Sequence, residues 1–478
     1  MKHLKAVFVL ALAVFVSVPA FAETQNVKVS GSIDSYWFNR TNYDLTKGND
    51  VSIVDPGGSA VPGVIHGGVG TVSGVADHQE TANFFRTNTQ VEVAADLTDN
   101  VSTVVNLVNE RDWNSDIDTT APTTVNTNEF DVMLDLAYVQ MKEIFYSPLT
   151  LTIGRQDLWF GRGFIIGNNN RMWNTNLNLA APEYSVQTAF DAIRATLDFN
   201  PWTLDFVYSN VKGGSQNAAD DLNLYIANIN YKFSEYNAVA EGYFVSEQDR
   251  NTFAGVTGAF NNDTETLGGR VQFDPISQIT LGGEAAYQFG NYRTAITAVK
   301  RDRGAWAADI FGTYRWDNTW KPELTLEYVF FSGEGDVSTT SSNSYGAWNT
   351  LYRGKFWTAY ADFREVAYST GDAVDQSAGT NQQFVQVKGS LKPLEDLLLE
   401  ASFTYLWNDK AVNSIPALTS SSTRNKDIGY EIDLQATYDY TEDVSFGLLT
   451  GWFVPGNFYT SPNDATATDV VGSVKVTF

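Results

Sequence analysis

Residues 430–440 read Tyr430-Glu431-Ile432-Asp433-Leu434-Gln435-Ala436-Thr437-Tyr438-Asp439-Tyr440. Every second residue is apolar or aromatic, and every residue between is polar or charged. A period of two sends these sets to opposite faces of a β-strand, one apolar with aromatic ends and one charged. The same split recurs in Asn83–Leu97, Phe130–Tyr138, Trp202–Tyr208 and Leu324–Phe330. In Asn83–Leu97, Phe85, Val91, Val93 and Ala95 share one parity, and Arg86, Asn88, Gln90, Glu92 and Asp96 hold the other.

A soluble sandwich also alternates, but its connections are similar in length. Here they alternate short and long. Eight short turns fall at Thr98–Asn100, Ser147-Pro148, Asn200-Pro201, Glu235–Asn237, Pro275-Ile276, Asp317–Lys321, Pro393–Asp396 and Thr441–Asp443. Nine long polar loops lie near 41–79, 113–128, 161–189, 212–220, 248–263, 292–303, 333–380, 408–426 and 455–468. The pattern predicts an all-β protein: a transmembrane antiparallel barrel of about eighteen strands, with short periplasmic turns and long extracellular loops.

The rest of the chain agrees with a barrel. It has 478 residues, 14% of them aromatic, and no cysteine. Aromatics cluster at strand ends, as in Tyr36-Trp37-Phe38, Trp316, Trp320, Tyr405 with Trp407, and Trp452-Phe453. Amphipathic rings favour the headgroup depth of a membrane. The final segment, Asp469–Phe478, is amphipathic and ends in the aromatic Phe478, the usual signal to the barrel-assembly machinery. Residues 1–22 read as a signal peptide, with Lys2 and Lys5 ahead of the apolar stretch Ala6–Val18 and an Ala20-Phe21-Ala22 cleavage site. Residues 23–478 form the barrel, and its expected destination is the outer membrane of a Gram-negative cell. A net charge of −25 excludes a general nucleic-acid binder, because phosphate binding requires a basic face.

Three segments resemble the alginate export (polyuronate channel) family of outer-membrane barrels. They are Thr152–Gly161 followed after a long loop by Phe190–Arg194, the strand end Leu326–Glu334, and Gly429–Leu434 followed by Trp452–Gly456. Glu334 stands where the family has an aspartate. The resemblance implies a monomeric eighteen-stranded channel without catalysis and leaves the cargo open. Alginate-exporting members carry a strongly cationic lumen, and there this sequence departs from them.

A barrel of this size encloses water, so selectivity comes from the inward parity and from loops folded into the bore. The inward set holds seven bases: Arg86, Arg194, Lys232, Arg270, Arg315, Lys388 and Lys475. Fourteen acids share it, among them Asp135, Asp205, Glu241, Glu284, Asp309, Glu327, Glu400, Glu431 and Asp433. Opposite charges on neighbouring strands are expected to pair. Arg155 shares its parity with Leu149, Leu151 and Ile153, which face lipid, but Gly154 permits a bulge that would re-aim it inward beside Gln156. The competing placement lies above the hydrocarbon. Loop 161–189 is rich in asparagine and carries Arg171 and Trp173, a chemistry suited to a saccharide if the loop folds inward. The expected solute pathway is Arg86, Arg155, Gln156, Arg171, Trp173, Arg194, Arg270 and Arg315.

No cofactor is implied. Asp112, Asp116 and Asp118 offer hard oxygen ligands without the spacing of a calcium loop. An enzyme in the barrel wall is disfavoured, since His66 and His78 have no partnered nucleophile motif. The expected partners are the lipid bilayer, lipopolysaccharide, the assembly machinery and an anionic or neutral saccharide or other small hydrophilic solute. A cation-preferring general porin is the alternative that the acid count favours, with a non-conducting adhesin or structural barrel behind it.

Overall fold

In a computed structural model the described residues are 26–42, 45, 81–113, 132–169, 181–212, 221–250, 262–293, 300–334, 344–360, 380–411, 425–459 and 464–478. The signal peptide, Asp116, Asp118, Asp131, Arg171, Trp173, His66 and His78 lie outside them.

Eighteen long strands follow one another around the barrel. They are β1 (Asn26–Thr41), β2 (Thr81–Thr98), β3 (Val101–Asp112), β4 (Met133–Met141), β5 (Leu149–Gln156) and β6 (Phe190–Asp198). Next come β7 (Trp202–Lys212), β8 (Leu222–Lys232), β9 (Val239–Asp249), β10 (Asn262–Ile276), β11 (Ile279–Arg293) and β12 (Lys300–Arg315). The last six are β13 (Glu323–Phe331), β14 (Gln382–Leu394), β15 (Leu397–Asn408), β16 (Asp427–Asp439), β17 (Val444–Pro455) and β18 (Ala467–Thr477). Consecutive strands pair antiparallel, and β1 pairs with both β2 and β18, so the sheet closes on itself. The eight short turns and nine long loops fall on opposite ends, as the sequence predicts. The loop after β13 adds only a two-residue strand, Ser344–Tyr345, parallel to β12 at Asp302 and Arg303.

Closure matters because a spanning strand in hydrocarbon has no water for its backbone groups. Side chains then sort by parity. In β16, Tyr430, Ile432 and Leu434 are exposed on the outer wall while Glu431 and Asp433 are buried inside. No described helix is long and apolar enough to cross a membrane. Aromatic pairs mark both rims: Trp202 with Tyr231 (4.4 Å) and Tyr314 with Trp316 (4.6 Å) at the short-turn end, Phe85 stacked on Trp113 (4.8 Å) at the long-loop end.

Candidate functional site in the barrel bore

The extracellular half of the bore is narrowed by loops. Two long loops fold into it and meet each other. From the β5–β6 loop, Leu158, Phe164, Ile165 and Ile166 are buried, and from the β13–β14 loop Trp348, Leu351, Tyr352, Trp357 and Tyr360. Ile166 forms a parallel bridge with Tyr352. The Gly167 amide donates to the Tyr352 carbonyl at 2.7 Å, and the Tyr352 amide to Ile165 at 3.1 Å. The lumen wall facing these loops is itself apolar, with Val207, Leu224, Ile226, Val245, Ala305, Ala307 and Val329. Rings lock the loops to the wall: Phe164 stacks on Phe331 (5.4 Å), and Trp357 meets Phe384 edge-on (5.2 Å). Apolar burial of this kind contributes roughly 25 cal/mol per Å².

Beneath this core lies a charge box. Asp309 on β12 and Glu327 on β13 are fully or nearly fully buried, and both receive cations from both loops. Arg162 reaches Asp309 at 2.8 Å and Glu327 at 3.0 Å; Lys355 reaches Asp309 at 3.2 Å and also bonds Glu327. Arg162 also lies over the Phe311 ring, 3.7 Å from its centroid. Gly161 adopts φ +57°, and a Cβ there would sit 3.1 Å from Glu241 and 3.3 Å from Arg270, so the turn rests directly on that wall pair. Burial pushes the Lys355 ammonium below the ordinary lysine range, against the pull of Asp309 and Glu327.

Across the bore, residues 181–187 of the β5–β6 loop dock on β1–β3. Glu110 accepts from the Val186 amide (2.6 Å), Gln187 (2.9 Å) and Ser185 (2.9 Å). Arg86 faces Glu110 at 3.7 Å and donates to Asn88 and to the Ala181 carbonyl. Arg40 bridges Glu183 and Asp469. The described part of loop 161–189 therefore folds inward, the condition on which its saccharide chemistry depends.

The predicted pathway residues separate into groups. Arg194 pairs with Asp205 (2.8 Å), Arg270 with Glu241 (3.1 Å) and Arg315 with Glu323 (2.9 Å), all on the lumen face. Arg86 points inward but is fully covered, so it anchors a loop. Gln156 is buried and donates to the Ala192 carbonyl at 3.0 Å, which makes it a strand clamp at the lumen wall. Arg155 requires a correction. Gly154 takes φ +125°, yet no residue is added: the register runs on through Gly154 opposite Ala192 and Arg155 opposite Asp191. Arg155 therefore keeps the outer parity of Ile153 and pairs with Asp191 at 3.4 Å on the outer wall. Sequence reasoning did not single out Lys355, Arg40 or Trp348. The signal available was the run of aromatics Trp348, Tyr352, Trp357 and Tyr360 in a loop, a composition that asks for burial. Among the described residues no group of three His, Asp or Glu is placed to hold a metal ion.

A closed antiparallel barrel with a lipid-facing apolar wall, aromatic rims and loops folded into a charged bore defines an outer-membrane channel for passive movement of hydrophilic solutes. Alginate export is the family that matches, over residues 75–473, and the chain belongs to it. Its fold is similar to OccAB1 of Acinetobacter baumannii, with a TM-score of 0.55 and 11% identity over 96% of this chain and 99% of that one. Pseudomonas aeruginosa OpdK, in a crystal structure with vanillate, gives a TM-score of 0.52 and 11% identity over 95% and 100%. OccK11 (OpdR) of the same organism gives 0.51 and 9% over 95% and 97%. At these identities the likeness is one of fold. No curated protein matches the chain. The family assignment agrees with the resemblance seen in Thr152–Gly161, Leu326–Glu334 and Gly429–Gly456.

Proposed function

We propose that the channel passes small neutral or cationic hydrophilic solutes, its two inner loops setting the size limit and its wall carboxylates the charge preference. The observation that carries this reading is how the lumen charges are paired. Arg86, Arg194, Arg270 and Arg315 each face a carboxylate, so they present little net positive field. Asp135, Glu284 and Asp433 are instead hydrogen-bonded by the neutral side chains of Asn106 (3.2 Å), Tyr243 (2.8 Å) and Ser402 (3.2 Å). The inward parity as a whole carries fourteen acids against seven bases, an acid excess that favours cations.

A polyuronate route is the second reading, favoured by the family and by Arg194, Arg270 and Arg315 on the lumen face. The mechanism involves no catalytic step. Export after loss of residues 1–22, and assembly directed by Phe478, complete the account. The Phe478 main chain exchanges hydrogen bonds with Gly31 of β1 at 2.8 and 3.0 Å, while its ring stays on the outside.

The test is the reversal potential of the purified channel in a planar bilayer across a KCl gradient, repeated with a polyuronate oligomer. Cation preference without block is expected. Anion preference with block by the oligomer would replace this reading with the polyuronate one.

A further inference from the structure

Strand β4 carries one residue more than its partner allows. The register passes from Asn106 opposite Leu136 to Leu107 opposite Leu134, so Asp135 bulges out of the ladder. A bulge re-aims its extra side chain, and Asp135 turns to the lumen side against Asn106 of β3. Both residues are 4% exposed. Asn106 stands opposite Glu92 of β2 and about 14 Å below Glu110, on which the β5–β6 loop docks.

The hydrogen bonds of this cluster leave only acceptors unmet. Asn106 donates through Nδ2 to Gln90 Oε1 at 3.1 Å and to Asp135 Oδ2 at 3.2 Å, which spends both of its side-chain donors. Asn106 Oδ1 and Asp135 Oδ1 are buried and accept from nothing, a costly state for polar atoms in a covered site. The surrounding charge has the same sign. Asp157 and Glu110 act on Asp135 against a single base, Arg155, which is paired with Asp191 on the outer wall. Glu92 adds a carboxylate beside Asn106. A water molecule meets the two oxygens but leaves this charge in place; a cation answers both.

We propose that Asp135 Oδ1 and Asn106 Oδ1 bind a monovalent alkali cation, sodium or potassium, in the lumen wall at mid-barrel. Hard cations take oxygen donors. A carboxylate oxygen with a neutral carboxamide oxygen suits a single charge, and among the described residues no three His, Asp or Glu side chains converge as a divalent ion would ask. A small ion needs no open cavity, so the burial of both side chains admits it and keeps larger solutes out. The site is a discrete one, and its occupancy does not depend on the sign that the bore as a whole prefers.

The test is anomalous scattering from crystals of the full channel grown at neutral pH with thallous acetate, thallium standing in for potassium. A thallium peak is expected between Asp135 and Asn106 in wild type, and its loss in Asp135→Asn. In solution, the urea-unfolding midpoint is expected to rise when potassium chloride replaces choline chloride at equal ionic strength, because an ion held only by the folded barrel stabilises it. That rise should vanish in D135N, with a heat-modifiable gel shift reporting that the variant folds. Should D135N fail to fold, Asn106→Leu removes the other oxygen and carries the same expectations. A wild-type site free of thallium, a peak kept in the variant, or equal midpoints in the two salts would overturn the proposal. None of these results bears on the reversal potential, which decides the charge preference of the whole bore separately.

Discussion

The two ends of the bore share one strand pattern but differ in what covers it. At the extracellular end, inward residues meet folded loops: Phe331, Phe384, Leu406 and Phe453 are buried in a dry core, and the Asp309–Glu327 box beneath it is closed by Arg162 and Lys355. At the periplasmic end, inward residues meet water. Arg315 and Glu323 are 44% and 37% exposed there, and Lys388 and Glu400 are 47% and 20% exposed. The same chemical pair thus has two roles. Buried, it fixes loop position and is costly to break; wet, it orders side chains along the path at little energetic consequence.

Breaking one partner at each end separates these roles. Asp309→Ala leaves Arg162 and Lys355 sharing Glu327 in a largely buried site, and a loss of about 3–5 kcal/mol is expected in urea unfolding of the refolded barrel. A loss below 1 kcal/mol would mean that water reaches the box. Outside the barrel, Leu434→Arg puts a charge on the lipid face one residue from lumen-facing Asp433, and should cost about 2–4 kcal/mol in the same assay. A neutral result would place Leu434 against protein or water. At the wet end, Lys388→Ala is expected to change stability by less than about 1 kcal/mol. It should still shift the reversal potential further toward cations, since Glu400 loses its partner at 2.9 Å. An unfolding change as large as that of Asp309→Ala would erase the distinction between the two halves.

Most of the barrel was legible because a period of two is written in every strand, and turn and loop lengths are written between them. Parity assigned Glu431, Asp433, Arg194 and Arg270 to the lumen correctly. It could not report depth under a loop, so Arg86, fully covered by residues 181–184, read like the half-exposed Arg315. Nor did it explain the apolar inward residues of β8, Leu222, Leu224 and Ile226, which make sense only once the loops pack on them. Arg155 was misread for a local reason: Gly154 absorbs an unusual φ without shifting the register. The box itself joins residues 162, 309, 327 and 355, a long-range arrangement that no local pattern encodes.

Arg162 and Lys355 pin the two inner loops to Asp309 and Glu327 on the barrel wall, and by holding them there they set the width of the bore. Single-channel conductance of the Arg162→Ala, Lys355→Ala double variant tests it most directly, measured beside wild type in the same bilayer and salt. A several-fold larger or strongly fluctuating unitary conductance is expected, with cation preference kept. A conductance equal to wild type, with the same low noise, would contradict the claim.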